Sequence, residues 1–369
     1  MKVETPQILW HSEGDKGINA ALSSVSMLAS GIEETSHVLA TAGGNPMVHL
    51  WKVKLEGEKT KVEYLCSLTR HEGPVNTVAF SPDGLHLATG GDSGALVVWS
   101  VPLAKRGNDN GRHYWSTITR EQDLYVRIAA SSGESVCDLS WSADSKRFVV
   151  GSIDHSVVLF EDANYGVGEP GWRTIYRNAM DHTHYVQGVS YDPLGVYITS
   201  MSSDRTVRVY PRKSPPKSKR KVLRPNNESV VDATNAVCNM LTDTKVEMGK
   251  SKQLKYRKTP LEDGGVSKQY LYADEAMLES FFRRLSFTTD GAFLVTPAAL
   301  WHKDPSAGKQ QGGGSPSYAT CLFARHKWDE PCRVLLGLEK VRTARDRCRL
   351  FRHSRIRPLT RIRFLAYRL

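Results

Sequence analysis

One short stretch decides the fold: Val75-Asn-Thr-Val-Ala-Phe80-Ser-Pro-Asp-Gly84. Its apolar residues alternate with small or polar ones, which is the period-two signal of a β-strand with one covered face. Ser-Pro-Asp-Gly then turns the chain, because proline fixes φ and glycine tolerates a positive φ. Related stretches recur at 136–144, 186–195 and 282–291.

A second and a third strand follow each turn. After residue 84 these are 85–91 and the β-branched run 95–99, which ends on Trp99. The corresponding closing aromatic residues elsewhere are Trp51, Phe160 and Tyr210. They lie farther apart than the roughly 40–45 residues of a bare WD repeat, which predicts insertions in the linking stretches. Such repeated antiparallel strands are typical of propeller blades, so we predict an all-β WD-repeat β-propeller with about five recognisable blades.

The second repeat carries the residue set that ties a WD-type blade together by hydrogen bonds. Its members are His71 before the first strand, Thr89 on the second, Asp92 in the next turn and Trp99 on the third. A catalytic triad uses similar residue types but is defined by geometry. Because the blade accounts for all four residues, we predict no enzyme.

Other repeats carry parts of this set. In the fourth, His182 or His184 precedes Ser200 and Asp204, whereas Tyr210 replaces the tryptophan. The third keeps Asp154 but lacks the leading histidine. The two histidines form an HxH pair without a metal-ligand pattern around it, so neither a metal nor another cofactor is predicted.

The net charge of +11 is unevenly distributed. Residues 211–260 carry +9 and residues 331–369 carry +10, so the remainder carries −8. An acidic body with two basic attachments is therefore expected. No apolar run is long enough to predict a membrane span, and the six cysteines form no CxxC pair, which favours a reducing compartment.

Two stretches resemble a known family, the WD-repeat middle subunit of chromatin assembly factor 1. They are Tyr185-Val-Gln-Gly-Val189 with its following turn, and Ser280-Phe-Phe-Arg-Arg-Leu-Ser-Phe287. The resemblance covers about residues 1–340. It implies a nuclear histone chaperone subunit that acts in replication-coupled deposition of core histones onto DNA. It also implies partners: the large and small subunits of that complex, core histones and the anti-silencing histone chaperone, with DNA reached through the complex and no small-molecule substrate.

The related replication-independent histone chaperone family stays open as an alternative. In that family Asp and Trp are expected where this chain has Ser286 and Phe287. The chain also departs from the resemblance, which implies seven blades and a long C-terminal region. Our hypothesis is that the sequence is truncated or misassigned from about Val341 onward.

The most specific part of the resemblance supplies a candidate partner contact: Phe281, Phe282, Arg283 and Arg284. Arginine pairs well with carboxylates, so the two arginines could hold an acidic partner. The alternative is an ordinary salt bridge on the first strand of a blade.

The two basic attachments have separate interpretations. Residues 211–224 are rich in Pro, Lys and Arg, which predicts an exposed loop. This loop serves either in nuclear import, through Lys217, Lys219, Arg220 and Lys221, or as a solvated insertion. The arginine-rich tail suits phosphate binding, so an alternative function of another class is a nucleic-acid-binding protein. The other interpretation of the tail is a shifted reading frame that happens to encode arginine.

These observations predict four segments. Residues 1–210 form blades one to four, 211–278 form a basic, Pro-rich inserted loop, 279–340 form blade five and the start of the next, and 341–369 form the arginine-rich tail.

Overall fold

A computed structural model describes residues 11–13, 18–28, 36–56, 59–106, 112–131, 134–165, 168–213, 248–260, 265–278, 280–301 and 317–336. Within these residues the chain forms five four-stranded antiparallel sheets and two two-stranded ones. The predicted all-β architecture is confirmed.

Each four-stranded sheet takes its strands in chain order. The first contains β3 (Leu22–Leu28), β4 (Ser36–Gly43), β5 (Val48–Glu56) and β6 (Lys59–Leu68). The second contains β7 (Val75–Phe80), β8 (His86–Gly91), β9 (Ala95–Ser100) and β10 (Tyr125–Ser131). The third contains β11 (Val136–Trp141), β12 (Arg147–Ser152), β13 (Val157–Asp162) and β14 (Trp172–Asn178).

The remaining elements complete the fold. The fourth sheet contains β15 (Val186–Tyr191), β16 (Tyr197–Ser202), β17 (Thr206–Pro211) and β18 (Lys252–Leu254). The fifth contains β21 (Ser286–Phe287), β22 (Phe293–Trp301), β23 (Ser317–Ala324) and β24 (Arg333–Leu336). Pairs outside them are β1 (Ser12–Glu13) with β2 (Ile18–Asn19), and β19 (Tyr256–Pro260) with β20 (Val266–Tyr270). The described helices are one α-helical turn, Arg112–Trp115, and 3-10 turns at Leu103–Lys105, Glu121–Asp123 and Glu275–Met277.

The turns after the inner strands of the second to fifth sheets are built as the sequence predicts. Gly84, Gly195 and Gly291 have φ of 80°, 71° and 70°, the left-handed region that glycine enters without a steric penalty. In the third sheet Ser145 takes this conformation, with φ of 59°. The first turn residue also fastens the turn, as when the hydroxyl of Ser81 accepts a 2.9 Å hydrogen bond from the amide of His86.

Apolar clusters lie between neighbouring sheets. One cluster joins residues of the first and second sheets, and others join the second to the third, the third to the fourth and the fourth to the fifth. Serine hydroxyls also link successive inner strands. Ser26, Ser140 and Ser190 accept hydrogen bonds of 3.0, 3.0 and 3.3 Å from amides on the next inner strand. The five inner strands therefore pack side by side, through apolar contacts and directed hydrogen bonds.

The described parts of the segment 211–278 contain strands as well as loop residues. β18 supplies the outer strand of the fourth sheet, so this sheet extends beyond the boundary predicted at residue 210. The hairpin β19–β20 follows directly. These strands escaped prediction because they carry lysine and glutamine on exposed positions, with Leu254 as the one buried apolar side chain of β18.

Candidate partner-binding surface

The structure joins three of the four residues predicted to tie the second sheet together. Nε2 of His71 lies 2.7 Å from Oγ1 of Thr89, and the indole of Trp99 donates a 3.2 Å hydrogen bond to the same hydroxyl. Asp92 lies elsewhere: its carboxylate accepts hydrogen bonds from Asn76 and from Ser135 of the next sheet. Nδ1 of His71 has no hydrogen-bond partner among the described residues, and burial lowers the pKa of His71 to about 4.

The fourth sheet assembles the set differently. His182, rather than His184, contacts Ser200 at 2.7 Å through Nε2 and Asp204 at 3.0 Å through Nδ1. Asp204 stands four residues after Ser200, whereas Asp92 stands only three after Thr89. The position four after Thr89 is Ser93. This one-residue difference explains why the second sheet leaves its histidine without a carboxylate.

The first sheet contains a set that the sequence reasoning missed. Nε2 of His11 lies 3.1 Å from Oγ1 of Thr41, and the indole of Trp51 donates to the same hydroxyl at 2.9 Å. Asn45, four residues after Thr41, lies 2.8 Å from Nδ1 of His11 and takes the place of the aspartate. The available signal was the spacing, since ten residues separate Thr41 from Trp51 and also Thr89 from Trp99.

The third sheet uses Asp154 without a histidine. Its carboxylate accepts hydrogen bonds from the amide and hydroxyl of Ser156 and forms a 2.7 Å ion pair with Arg177. Burial alone would raise the pKa of Asp154, but these hydrogen bonds and the arginine charge lower it. Asp154 thus fixes a turn rather than a histidine.

Ser200, His182 and Asp204 contact one another in the sequence of a catalytic triad, but the serine and the histidine are buried. Ser200 is fully buried and His182 nearly so, and a nucleophile needs an approaching substrate. Among the described residues no group of three or more His, Cys, Asp or Glu side chains is placed to hold a metal ion. No helix in the same ranges is long and apolar enough to cross a membrane.

A buried arginine joins the inner strands. Arg284 donates hydrogen bonds of 2.7 and 2.6 Å to the carbonyls of Ser23 on β3 and Asn76 on β7. Its Nε lies 3.3 Å from the carboxylate of Asp138 on β11. Arg284 therefore connects the fifth sheet to the first three.

Asp138 extends this connection to the fourth sheet. The carboxylate is fully buried and accepts a 3.0 Å hydrogen bond from the amide of Val189 on β15. Next to Val189, a Cβ atom on Gly188 would lie 2.1 Å from the carbonyl oxygen of Arg283, so only glycine lets this segment approach. We call Arg284 and Asp138, with these contacts, the polar axis.

Arg283 is also directed inward. It is 1% exposed, its Nη1 donates a 2.9 Å hydrogen bond to the carbonyl of Ala273, and burial lowers its pKa. Arg284 is 6% exposed. Internal groups thus surround both guanidinium groups, and the Arg284–Asp138 pair matches the predicted alternative of a salt bridge. A contact of these arginines with an acidic partner stays a prediction.

Of the two phenylalanines in this segment, Phe281 lies at the surface, whereas Phe282 is half-buried and its ring contacts the guanidinium of Arg284 at 4.3 Å. Phe281 is 40% exposed, and its ring lies 5.4 Å from that of Phe282 and 6.3 Å from that of Tyr185. Tyr185 lies 4.4 Å from His184, whose ring stacks on His155 at 6.0 Å. We call these five rings the aromatic row. It crosses loops of the third, fourth and fifth sheets.

Carboxylates lie beside the aromatic row. Glu275 lies 4.0 Å from His184, and Asp274 lies 3.7 Å from Arg205. Both acids have side chains about half exposed. Aromatic faces and carboxylates attract cations, so the row suits a partner with lysine or arginine side chains.

Two groups of predicted residues cannot be placed. The import candidates Lys217, Lys219, Arg220 and Lys221 lie outside the described residues, and so does the arginine-rich tail 341–369.

Comparison with known proteins places the chain in a family. The family model "CAF1B/HIR1 beta-propeller domain" matches residues 1–246. The FAS2 homolog of chromatin assembly factor 1 from Oryza sativa is 32% identical over 303 residues, which is 81% of this chain and 50% of the relative. A chromatin assembly factor 1 subunit of Gallus gallus is 29% identical over 341 residues, 90% of this chain and 49% of the relative.

A relative with another name matches less of the chain. Protein HIR1 of Cryptococcus neoformans is 27% identical over 218 residues, 57% of this chain and 23% of the relative. The chain spans about half the length of the chromatin assembly factor relatives from rice and chicken. Since the family model covers about two thirds of the sequence, the chain belongs to the CAF1B/HIR1 β-propeller family.

Proposed function

We propose that this chain is a WD-repeat histone chaperone subunit that acts in replication-coupled deposition of core histones onto DNA. The observation that carries the proposal is the family match over residues 1–246, together with relatives named as chromatin assembly factor 1 subunits. In this role the chain is a scaffold, with the large and small subunits and the anti-silencing chaperone as further proposed partners.

One finding and one expectation from the sequence support this role rather than the replication-independent one. The chromatin assembly factor relatives match 81–90% of the chain, whereas the HIR1 relative matches 57%. Ser286 and Phe287 also stand where the replication-independent family is expected to carry Asp and Trp. The distinguishing experiment is to isolate the tagged full chain from replicating cells. Recovery of the large chromatin assembly subunit is expected, and exclusive recovery of replication-independent chaperone subunits would contradict the proposal.

We propose the aromatic row as the surface that receives the histones. Phe281 offers an exposed ring, and Asp274 and Glu275 supply negative charge beside it. Core histones are basic, so their lysine and arginine side chains complement both features.

A binding assay with purified core histones tests this surface. The full chain carrying Phe281→Ala is compared with Tyr64→Ala, which removes an equally large exposed ring from β6 of the first sheet. We expect about tenfold weaker histone binding for Phe281→Ala, the effect of losing roughly 1.4 kcal/mol, and no change for Tyr64→Ala. Equal affinities for both variants would exclude the aromatic row.

A nuclear location is part of the proposal. Lys217, Lys219, Arg220 and Lys221 form a basic run of the type that import receptors bind. Replacing the four by alanine should shift a fluorescent fusion of the full chain to the cytoplasm. An unchanged nuclear signal would assign import to another segment or to a partner protein.

A further inference from the structure

The hairpin β19–β20 projects from the boundary between the fourth and fifth sheets. β19 begins two residues after β18, the outer strand of the fourth sheet. After β20, Tyr272 forms a bridge to Ala299 of the fifth sheet. Both ends of the hairpin are thus attached to four-stranded sheets.

One face of the hairpin is aromatic and basic. Tyr256 pairs with Tyr270, and Lys258 pairs with Lys268. Directly paired residues and residues two apart share a face of a β-ribbon. All four side chains are therefore on the same face, and all four are exposed, the tyrosines by 38% and 41%.

The other face holds the hairpin in place. Arg257 lies between the tyrosine and lysine pairs along β19, and its guanidinium stacks on the ring of Trp301 at 3.6 Å. On the tyrosine face, Arg205 stacks on one side of the Tyr270 ring at 3.9 Å and donates a 2.9 Å hydrogen bond to the carbonyl of Tyr272, and the two tyrosine rings lie 4.9 Å apart. Arg257 thus holds the hairpin from the opposite face, whereas Arg205 holds the Tyr270 ring itself.

Positive charge surrounds the two tyrosines. Residues 250–270 contain six Lys or Arg against two acids, Glu262 and Asp263. Nζ of Lys255 lies 5.4 Å from the Tyr256 ring and 5.5 Å from the Tyr270 ring. Within the described residues, neither Lys258 nor Lys268 forms an ion pair. The pKa of Tyr256 is lowered by a hydrogen bond from Tyr270 and by the charges of Lys255 and Lys268.

We propose that this face binds single-stranded nucleic acid, with bases stacking on Tyr256 and Tyr270 and phosphates meeting Lys258 and Lys268. Tyrosine rings accept any base, and lysines neutralise the backbone, so binding is independent of sequence. Two residues along a strand span about 7 Å, which is comparable with the distance from base to phosphate within one nucleotide. This site is separate from the arginine-rich tail and independent of the proposed histone role.

Fluorescence anisotropy of the full chain with a labelled oligothymidylate tests the tyrosines. Tyr256→Ala/Tyr270→Ala should weaken binding about tenfold or more, since stacking contributes about 1–3 kcal/mol per base. An abasic oligomer of equal length should bind wild type and this variant equally. The matched control is Tyr64→Ala, which leaves affinity unchanged. Wild-type affinity in the double variant would overturn the proposal.

Salt dependence tests the lysines. Lys258→Ala/Lys268→Ala should reduce the slope of log K against log salt by about 1.4, since each phosphate contact to a single strand contributes about 0.7. An unchanged slope would contradict the assignment.

Two further measurements separate the other candidates. Photo-crosslinking of the oligomer followed by peptide mapping should label 256–270, and labelling confined to 341–369 would assign binding to the tail instead. In a competition assay, polyglutamate that displaces the labelled oligomer as well as unlabelled oligomer does would show that the face binds any polyanion. That result would overturn the proposal that nucleic acid is the ligand. An RNA oligomer in parallel distinguishes ribose from deoxyribose strands.

Discussion

Phe281 and Arg284 are three positions apart in one motif, but one side chain lies at the surface and the other lies in the interior. Phe281 is 40% exposed and begins the aromatic row, whereas Arg284 is 6% exposed and bonds to three other sheets. The difference shows that one short stretch of this chain contains both a residue that joins the inner strands and a residue that stays exposed. The exposed ring of Phe281 is the one that we propose for partner contact.

The largest expected effect follows from breaking the polar axis. Arg284→Ala leaves the carboxylate of Asp138 buried without its cation, and removing one partner of a buried pair costs about 3–5 kcal/mol. Urea unfolding of the full chain measures this loss. The control is Arg173→Ala, whose ion pair with Glu161 is half exposed on the arginine side and should contribute less than about 1 kcal/mol. Similar losses in both variants would refute the role given to Arg284.

The next effect concerns His71, a buried histidine of the framework. Its folded pKa is about 4 against about 6.5 when unfolded, so the unfolded state binds the proton more readily. The contribution of His71 to stability should therefore fall as pH drops from about 6.5 to 4, by up to about 3 kcal/mol. His49 and His86, whose pKa values burial also lowers to about 4, add to the same loss.

Ser93→Asp sharpens this prediction. It puts a carboxylate four residues after Thr89, as Asp204 stands after Ser200. NMR titration of the His71 ring should then show a higher pKa than in wild type, with less acid sensitivity. A wild-type His71 that titrates near 6.5 would contradict the burial argument.

A smaller effect is expected where the fifth sheet approaches the fourth. Gly188→Ala introduces a Cβ that meets the carbonyl of Arg283, and such overpacking costs about 1–3 kcal/mol. Gly168→Ala is the matched control, because a Cβ there meets no atom within 4 Å. Thermal unfolding should separate the two variants, and equal midpoints would show that the approach is not tight.

The smallest effect on stability belongs to the exposed member of the motif. Phe281→Ala should change the free energy of unfolding by less than about 0.5 kcal/mol, as surface substitutions usually do. A loss comparable with that of Arg284→Ala would mean that the aromatic row is part of the fold.

The sequence predicted the inner strands because they carry both an apolar alternation and a turn signal. It missed outer strands such as β14 and β24. Their side chains are largely half-buried or exposed, so apolar and polar residues do not alternate clearly along them. Asp92 was assigned to the wrong contact because one residue of spacing cannot be judged without coordinates. For Arg284 the sequence left two roles open, a contact with an acidic partner and a salt bridge within a blade, because only folding brings it to Asp138.

If Phe281 serves binding and not folding, its loss should weaken histone binding in a chain that stays folded, and the affinity of the Phe281→Ala chain for purified core histones measures this. Measured beside wild type at equal folded fraction, the variant is predicted to bind about tenfold more weakly. Wild-type affinity in a folded Phe281→Ala chain would show that the exposed ring of Phe281 does not receive histones.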